Sequence, residues 1–188
     1  IPEGEVLIAA KHQSFFDAIL IVSAVPKPKF IMKNSLKYAP VLGWFGLRIG
    51  CICVERGKRT QAIKSMVAAV NSGNSPAGQL IIYPQGTRIA PGASAPYKIA
   101  SAVLYQENGK TCVPEATNVG VFWPKDGILR QPGLAVIEFL PAIQPGLSNG
   151  LFMHRLEEVI EQSSNALMEE AATDGFYPVG QDTWGTIW

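Results

Sequence analysis

Charged residues are scarce in this 188-residue chain: they make up 16% of it, whereas 47% of the residues are hydrophobic. Globular domains usually carry about a quarter charged residues, so we expect extra apolar surface here, as a membrane face, a partner or an apolar ligand would require. The sequence also lacks a signal-peptide pattern and a run of eighteen apolar residues, so no transmembrane helix is predicted. The chain begins with Ile1 rather than Met, which leaves room for an upstream membrane anchor.

Cysteine and histidine are also few. The three cysteines, Cys51, Cys53 and Cys112, are odd in number, and two of them stand in an apolar run. We therefore expect buried thiols in a reducing compartment rather than disulfides. No further ligands stand at metal-binding spacing, so no metal site is predicted. Only His12 and His154 are available for histidine acid–base chemistry near neutral pH.

The charges are distributed unevenly along the chain. Residues 1–100 hold twelve Lys and Arg against four Asp and Glu, whereas residues 101–188 hold four against eleven. The basic first half suits phosphate groups or anionic lipid, although pairing of the two halves across the fold would explain the pattern equally well. Nucleic acid is not predicted as a partner, because the basic residues are scattered and form no recognised binding motif.

Short apolar runs alternate with amphipathic segments along the chain. Strands are predicted at residues 5–10, 29–32, 51–54, 79–83, 111–113, 119–123 and 134–140. Helices are predicted at residues 15–25, 59–71, 97–106 and 148–172. This alternation predicts one α/β domain over residues 1–188, with a mostly parallel or mixed central sheet flanked by helices.

The segment AAKHQSFFDAIL, residues 9–20, joins the first predicted strand to the first predicted helix. Ser14 stands three residues before Asp17, which is the pattern of a helix N-cap and its capping-box acid. His12 lies just before the helix, where Asp17 would fix its tautomer and leave the other ring nitrogen as a base. Ser14 lacks the G-x-S-x-G setting of a nucleophile. Taken alone, the H-x4-D spacing is weak, and an ordinary surface histidine is the simpler explanation.

Three more stretches follow in order: GCICVER at residues 50–56, YPQGTR at 83–88 and VPEA at 113–116. Each of them follows or ends a strand-like run. The carboxyl ends of parallel strands gather at one edge of a sheet, where ligands bind. A common cleft is therefore expected for the polar residues of these segments: His12, Asp17, Arg56, Gly86, Thr87 and Arg88.

Together, the four stretches resemble the ordered blocks of the glycerolipid acyltransferases, above all the 1-acylglycerol-3-phosphate acyltransferases, over about residues 5–145. The resemblance implies a glycerol-3-phosphate acyltransferase-like fold and O-acyltransferase activity. A fatty acyl group would pass from acyl-CoA or acyl carrier protein, as co-substrate and without a further cofactor, to the sn-2 hydroxyl of 1-acylglycerol 3-phosphate, giving phosphatidate. His12 would take the hydroxyl proton and Asp17 would stabilise the imidazolium, with no acyl-enzyme.

The resemblance also assigns binding residues. The acceptor's phosphate would meet guanidinium forks, a close backbone approach and a hydroxyl, supplied by Arg56, Gly86, Thr87 and Arg88. A solvated side chain is the ordinary alternative for each arginine, and Lys58 and Arg59 are balanced between binding and merely starting a helix. Val113 and Pro114 belong to a block thought to shape the acyl or acceptor channel, although strand packing explains them equally well.

Three positions depart from the family's usual pattern. Lys11 stands where Asn is usual, which keeps a donor and adds positive charge. Gln85 stands where Glu is usual, so any step that needs that carboxylate's charge is in question. Glu115 stands where an apolar residue is common. The motif-bearing core thus runs over about residues 5–145, and a C-terminal helix and tail follow at 148–188.

Residues 36–47 are apolar and include Tyr38, Trp44 and Phe45, with basic residues on both sides. Such a segment fits the interface of an anionic leaflet, whereas a core helix is the ordinary alternative. We therefore expect a membrane-associated protein on the cytoplasmic face, at the inner membrane if the source is bacterial. A membrane surface and a lysophospholipid acceptor are accordingly its predicted partners.

Two alternatives remain. Another acyltransferase of the same superfamily would act on glycerol 3-phosphate or on a different lyso-lipid, and Arg56 and Arg88 favour an acceptor that bears phosphate. A non-catalytic membrane lipid-binding domain is the alternative from another class, and the presence of both His12 and Asp17 disfavours it.

Overall fold

The structure, a computed structural model, describes residues 1–54, 59–72, 77–126 and 128–176. Within these ranges six strands form one sheet in the order β3-β2-β4-β1-β5-β6. The strands are β1 (Leu7–Ala10), β2 (Pro28–Lys33), β3 (Ile52–Val54), β4 (Gln79–Ile82), β5 (Cys112–Thr117) and β6 (Ile137–Phe139). All pairings are parallel except that of β5 with β6, which is antiparallel. The predicted α/β class with a mostly parallel or mixed sheet is confirmed.

Helices cover the sheet and connect its strands. The α-helices are α1 (Phe15–Ala24), α2 (Leu42–Arg48), α3 (Arg59–Asn71), α4 (Ala100–Asn108), α5 (Val119–Phe122) and α6 (Asn149–Thr173), and a 3-10 helix covers Asn34–Tyr38. None of the described helices combines the length and apolar character needed to span a bilayer.

The two faces of the sheet form separate cores because side chains alternate along each strand. Leu7 and Ala9 of β1 point toward α4 and α6, where they join Leu104 and Leu156 in the larger cluster. Ile8 and Ala10 point to the other face and pack with Ile21 and Val25 at α1. Strands β1 and β4 are buried along their whole length, as expected for central strands of a sheet covered on both faces.

The structure corrects the strand predicted over residues 119–123. Val119–Phe122 forms the short helix α5, not a strand, and a short apolar run cannot distinguish the two by periodicity. Thr117 Oγ1 accepts a hydrogen bond from Val119 N at 3.1 Å, which starts the turn just after β5 ends.

The prediction that all three thiols are buried also needs correction, because Cys112 is buried whereas Cys51 and Cys53 are only partly buried.

The parallel strands present their carboxyl ends at one edge of the sheet. His12 follows β1, the segment 83–88 follows β4, and Asn118 follows β5. This edge is where an α/β sheet offers loop residues to a ligand, and it therefore holds the candidate site.

Candidate active site

The amino end of α1 is fixed by a capping box. Ser14 is the N-cap residue, and its Oγ accepts a hydrogen bond from Phe16 N at 3.1 Å. The Asp17 carboxylate accepts backbone hydrogen bonds from Gln13 N at 2.7 Å and from Ser14 N at 3.0 Å. The predicted cap is confirmed, and the buried Ser14 hydroxyl is engaged in holding the helix end.

The same carboxylate lies beside His12. The distance from His12 Nδ1 to Asp17 Oδ2 is 3.4 Å, and Asp17 is fully buried whereas the His12 side chain is 18% exposed. The imidazole also stacks on the Tyr83 ring, with centroids 3.8 Å apart and planes 14° from parallel. A contact of 3.4 Å is long for a hydrogen bond, but catalytic hydrogen bonds often tighten only in the substrate complex.

These two contacts orient the imidazole ring. Because Nδ1 faces Asp17, the tautomer that donates from Nδ1 leaves a lone pair on Nε2. Among the described residues, Nε2 of His12 has no hydrogen-bond partner. This arrangement leaves Nε2 able to accept a proton, with the Asp17 carboxylate beside Nδ1.

The loop that follows β4 is attached directly to the His12 segment. Ile89 N donates to the His12 carbonyl at 2.7 Å, and Gly86 N closes a turn onto the Tyr83 carbonyl at 2.8 Å. Gly86 has φ of +69°, a conformation that L side chains rarely adopt. The structure thus brings Gly86, Thr87 and Arg88 into the loop that borders His12.

The structure describes Arg88 but not Arg56. Arg88 is half-buried, and its Nη1 donates to the Lys125 carbonyl at 2.9 Å, so the guanidinium is partly committed to the protein. Arg56 and Lys58 lie outside the described residues, and Arg59 begins α3. The predicted phosphate-binding roles of Arg56 and Arg88 stay predictions.

Gln85 and the residues of β5 lie inside the fold. The Gln85 side chain is buried, and its Nε2 donates to the Ala95 carbonyl at 3.2 Å, a bond that a carboxylate could not donate. Val113 and Pro114 are buried in β5, where Pro114 pairs opposite Ala9. Their contacts are those of strand packing, and the channel role stays a prediction.

Lys11 has a partner that the sequence did not indicate. It is 2% exposed, and its Nζ lies 2.5 and 2.7 Å from the two carboxylate oxygens of Glu161 on α6. The Tyr97 hydroxyl donates to Glu161 Oε1 at 2.8 Å. No local pattern predicts this contact, because the two charged residues are 150 positions apart. It ties the segment that carries His12 to the C-terminal helix.

Glu115 is the second charged residue that the family pattern did not predict. It stands opposite Ala10 in the β1–β5 ladder and is fully buried. Cys112 and Ala116 face α6, so alternation turns Glu115 toward α1 and the Asp17 side. Both of its carboxylate oxygens lack a hydrogen-bond partner among the described residues, as does the buried hydroxyl of Tyr83.

Burial shifts the ionisation of the Glu115 carboxyl. Desolvation, and then the negative charge of Asp17, raises the pKa of Glu115 well above its usual range. Desolvation likewise raises the pKa of Tyr83, with the charges of Asp17 and Glu115 adding to it. Burial and the neighbouring Asp17 carboxylate therefore favour the protonated form of Glu115.

Glu115→Gln is expected to stabilise the protein above about pH 5. The unfolded chain releases the Glu115 proton above about pH 4.5, whereas the folded protein holds it. Folding stability is therefore lost as the pH rises from that value toward the raised pKa, by at most about 1.4 kcal/mol per pH unit. Glutamine keeps the shape but does not titrate, so the advantage of the variant should grow with pH. Urea unfolding at pH 5, 6, 7 and 8 measures it.

The control for this prediction is Glu138→Gln, which alters an exposed carboxylate on β6. Its effect on unfolding should vary little over the same pH range. A Glu115→Gln variant that is no more stable than the parent at pH 8 would show that the carboxyl finds compensation in the folded state.

The large apolar side chains whose burial the structure describes within residues 36–47 are exposed rather than part of the core. Tyr38 is 77% exposed, Val41 80% and Trp44 62%, with Phe45 and Leu47 also exposed. The Arg48 guanidinium lies over the Trp44 ring at 5.0 Å from its centroid. The alternative of a core helix is wrong, and the face combines aromatic side chains with basic ones.

Two surface cavities lie away from His12. One of about 580 Å³ lies between β6 and α6, and another of about 340 Å³ lies at the edge where β1 and β4 begin. Within the described part of the chain, no three His, Cys, Asp or Glu side chains cluster as metal ligands.

Comparison with known proteins tests the resemblance to the acyltransferases. The family model for the Acyltransferase family matches residues 1–117. The chain is 27% identical over 143 residues to a 1-acyl-sn-glycerol-3-phosphate acyltransferase of Pseudomonas aeruginosa, covering 76% of this chain and 56% of that protein. It is 25% identical over 182 residues to the enzyme of the same name from Saccharomyces cerevisiae, covering 94% and 59%. The chain thus spans somewhat more than half the length of these relatives.

The fold also has a solved counterpart. The crystal structure of the 1-acyl-sn-glycerophosphate (LPA) acyltransferase PlsC from Thermotoga maritima aligns with a TM-score of 0.72. The alignment covers 89% of this chain and 68% of that one, at 20% identity. This similarity establishes a shared fold.

Proposed function

The chain belongs to the acyltransferase family, and from that membership we propose that it is an O-acyltransferase that acylates the sn-2 hydroxyl of 1-acylglycerol 3-phosphate. The acyl donor is a thioester of coenzyme A or acyl carrier protein, and the product is phosphatidate. One observation supports this most strongly: the His12 ring is held between Asp17 and Tyr83 with Nε2 unpaired among the described residues.

The proposed reaction needs a base but no protein nucleophile. Nε2 of His12 removes the proton as the acceptor oxygen attacks the thioester carbonyl carbon. The tetrahedral intermediate collapses, the carbon–sulfur bond breaks, and the imidazolium returns the proton to the departing thiolate. Asp17 stabilises the imidazolium while it exists, because its buried carboxylate faces Nδ1.

The loop after β4 supports an acceptor that bears phosphate. Thr87 is exposed and Arg88 is half-buried, and both precede the residue whose amide binds the His12 carbonyl. A phosphate held there would place the glycerol hydroxyl near the base. In this proposal Arg56 adds a second guanidinium from the segment after β3.

The experiment for this function is transfer of a radiolabelled acyl group from acyl-CoA, and separately from acyl carrier protein, to lysophosphatidate in detergent micelles. Labelled phosphatidate is the expected product, with little transfer to 1-acylglycerol, which lacks the phosphate. Equal transfer to lysophosphatidylethanolamine would assign the enzyme to another lyso-lipid. Absence of product with every donor and acceptor would contradict the proposal.

We further propose that residues 36–47 bind the cytoplasmic leaflet, because their exposed aromatic side chains and neighbouring cations match an anionic interface. Replacing Trp44 and Phe45 by serine should reduce sedimentation with phosphatidylglycerol-containing vesicles several-fold. Leu151→Ser is the matched control, since Leu151 is 63% exposed on α6. Equal sedimentation of the parent and the double variant would locate the membrane contact elsewhere.

A further inference from the structure

Lys98 occupies a position that the sequence pattern did not single out. A Cβ atom placed on Gly86 would lie 2.4 Å from Lys98 Nζ and 3.2 Å from its Cδ and Cε atoms. The ammonium group therefore fills the space that a side chain at Gly86 would take. The glycine that was expected to let the backbone approach a phosphate also makes room for a cation.

The backbone places Lys98 there by closing the loop on itself. Lys98 N donates to the Pro84 carbonyl at 2.9 Å. The buried Gln85 side chain binds the Ala95 carbonyl at 3.2 Å, which holds the returning segment against the turn. Lys98 also leads into α4, because its carbonyl accepts a hydrogen bond from Ser101 N at 3.1 Å. The backbone of Lys98 is thus fixed by the same loop that borders His12, and its side chain is exposed.

The charge of Lys98 is not neutralised within the described part of the chain. Lys11 and Lys110 are paired with Glu161 and Glu5 at 2.5 and 2.6 Å. Lys98 has no carboxylate within ion-pair distance among the described residues. An ammonium held against a turn, with no acid beside it, attracts an anion.

We propose that Lys98 is a further binding residue for the phosphate monoester of the acyl acceptor, acting together with Arg88 and Thr87. This inference rests on the proposed function. A phosphate monoester carries close to two negative charges at neutral pH, and two cations of one loop match that charge. The φ of +69° favours glycine at position 86, and the absence of a side chain there leaves room for the Lys98 ammonium.

The test compares the steady-state kinetics of Lys98→Gln with those of the parent. We expect the KM for lysophosphatidate to rise about 10- to 100-fold, which is the usual loss for a hydrogen bond to a charged group. The kcat and the KM for acyl-CoA should change little, and transfer to the phosphate-free 1-acylglycerol should be unaffected. Lys98→Arg should restore part of the affinity. Lys64→Gln, an exposed lysine on α3, is the matched control.

The outcomes separate the two proposals. If the parent acylates lysophosphatidate and Lys98→Gln keeps the parental KM, the Lys98 assignment is wrong while the proposed function stands. A rise in the KM for acyl-CoA instead would overturn the acceptor assignment and place Lys98 at the phosphates of the donor.

A second measurement does not depend on turnover. Glycerol 3-phosphate should raise the Tm of the parent and of Lys64→Gln but not that of Lys98→Gln. If it raises the Tm of Lys98→Gln as much as that of the parent, or raises neither, Lys98 does not bind the phosphate.

Discussion

His12→Ala is expected to lower kcat for acyl transfer by about 10³-fold, within the range of 10²- to 10⁴-fold that general-base catalysis contributes. The alcohol must lose its proton as it attacks, and His12 is the only histidine beside a buried carboxylate in the described part of the chain. The ring is partly exposed, so its removal should leave the Tm within a few degrees of the parental value. Single-turnover assays with lysophosphatidate and acyl-CoA measure the chemical step.

The chain provides its own control for this experiment. His154 is the only other histidine, and it is exposed on α6. His154→Ala should retain parental kcat, which separates the loss of a base from a general effect of removing imidazole. A His12→Ala variant with kcat within threefold of the parent would show that another group accepts the proton.

Asp17 is harder to test because it has two functions. Its carboxylate faces His12 and also accepts the amide hydrogen bonds that begin α1. The variant Asp17→Asn keeps an oxygen acceptor for the helix cap but removes the negative charge. A loss of kcat with little loss of stability would therefore identify the electrostatic contribution, whereas equal losses would indicate a purely structural role.

The local features of the site could be read from the sequence because they depend on short spacings. The capping box joins Ser14 to Asp17 across one helical turn, and the turn brings His12 to the same carboxylate. The strands and the edge that gathers their loops follow from hydrophobic runs separated by helices. The error at Val119–Phe122 arose because that run is short and buried on all sides, which leaves no periodic signal.

Contacts that depend on distant segments were not predictable in the same way. The proximity of Lys98 to Gly86 depends on how the loop between them folds back. The unpaired carboxyl of Glu115 depends on the α1 side of β5 facing Asp17. The sequence marked Lys11 and Glu115 as departures from the family pattern, but only the structure shows that Lys11 is paired with Glu161 and that Glu115 is buried without a partner among the described residues.

The pairing of Lys11 supports a second large prediction. Glu161→Ala should lower the free energy of unfolding by about 2–3 kcal/mol, because it leaves the Lys11 ammonium buried without its counter-charge. We expect a smaller loss than the about 3–5 kcal/mol that follows removal of one partner from a fully buried pair, because the Glu161 side chain is 31% exposed. The Tyr97 hydroxyl also loses its acceptor. Urea unfolding at neutral pH measures the effect, and Glu157→Ala, on the exposed side of α6, is the control.

The double variant Lys11→Met with Glu161→Ala separates the pair from packing. Removing both charges avoids the buried, unpaired ammonium, so it should recover most of the stability lost in Glu161→Ala alone. If the double variant is as unstable as the single one, the loss comes from packing around α6. Recovery would show that the ion pair links the His12 segment to α6. A stability loss in Glu161→Ala accompanied by reduced kcat would then mean that the C-terminal helix helps to hold the base in place.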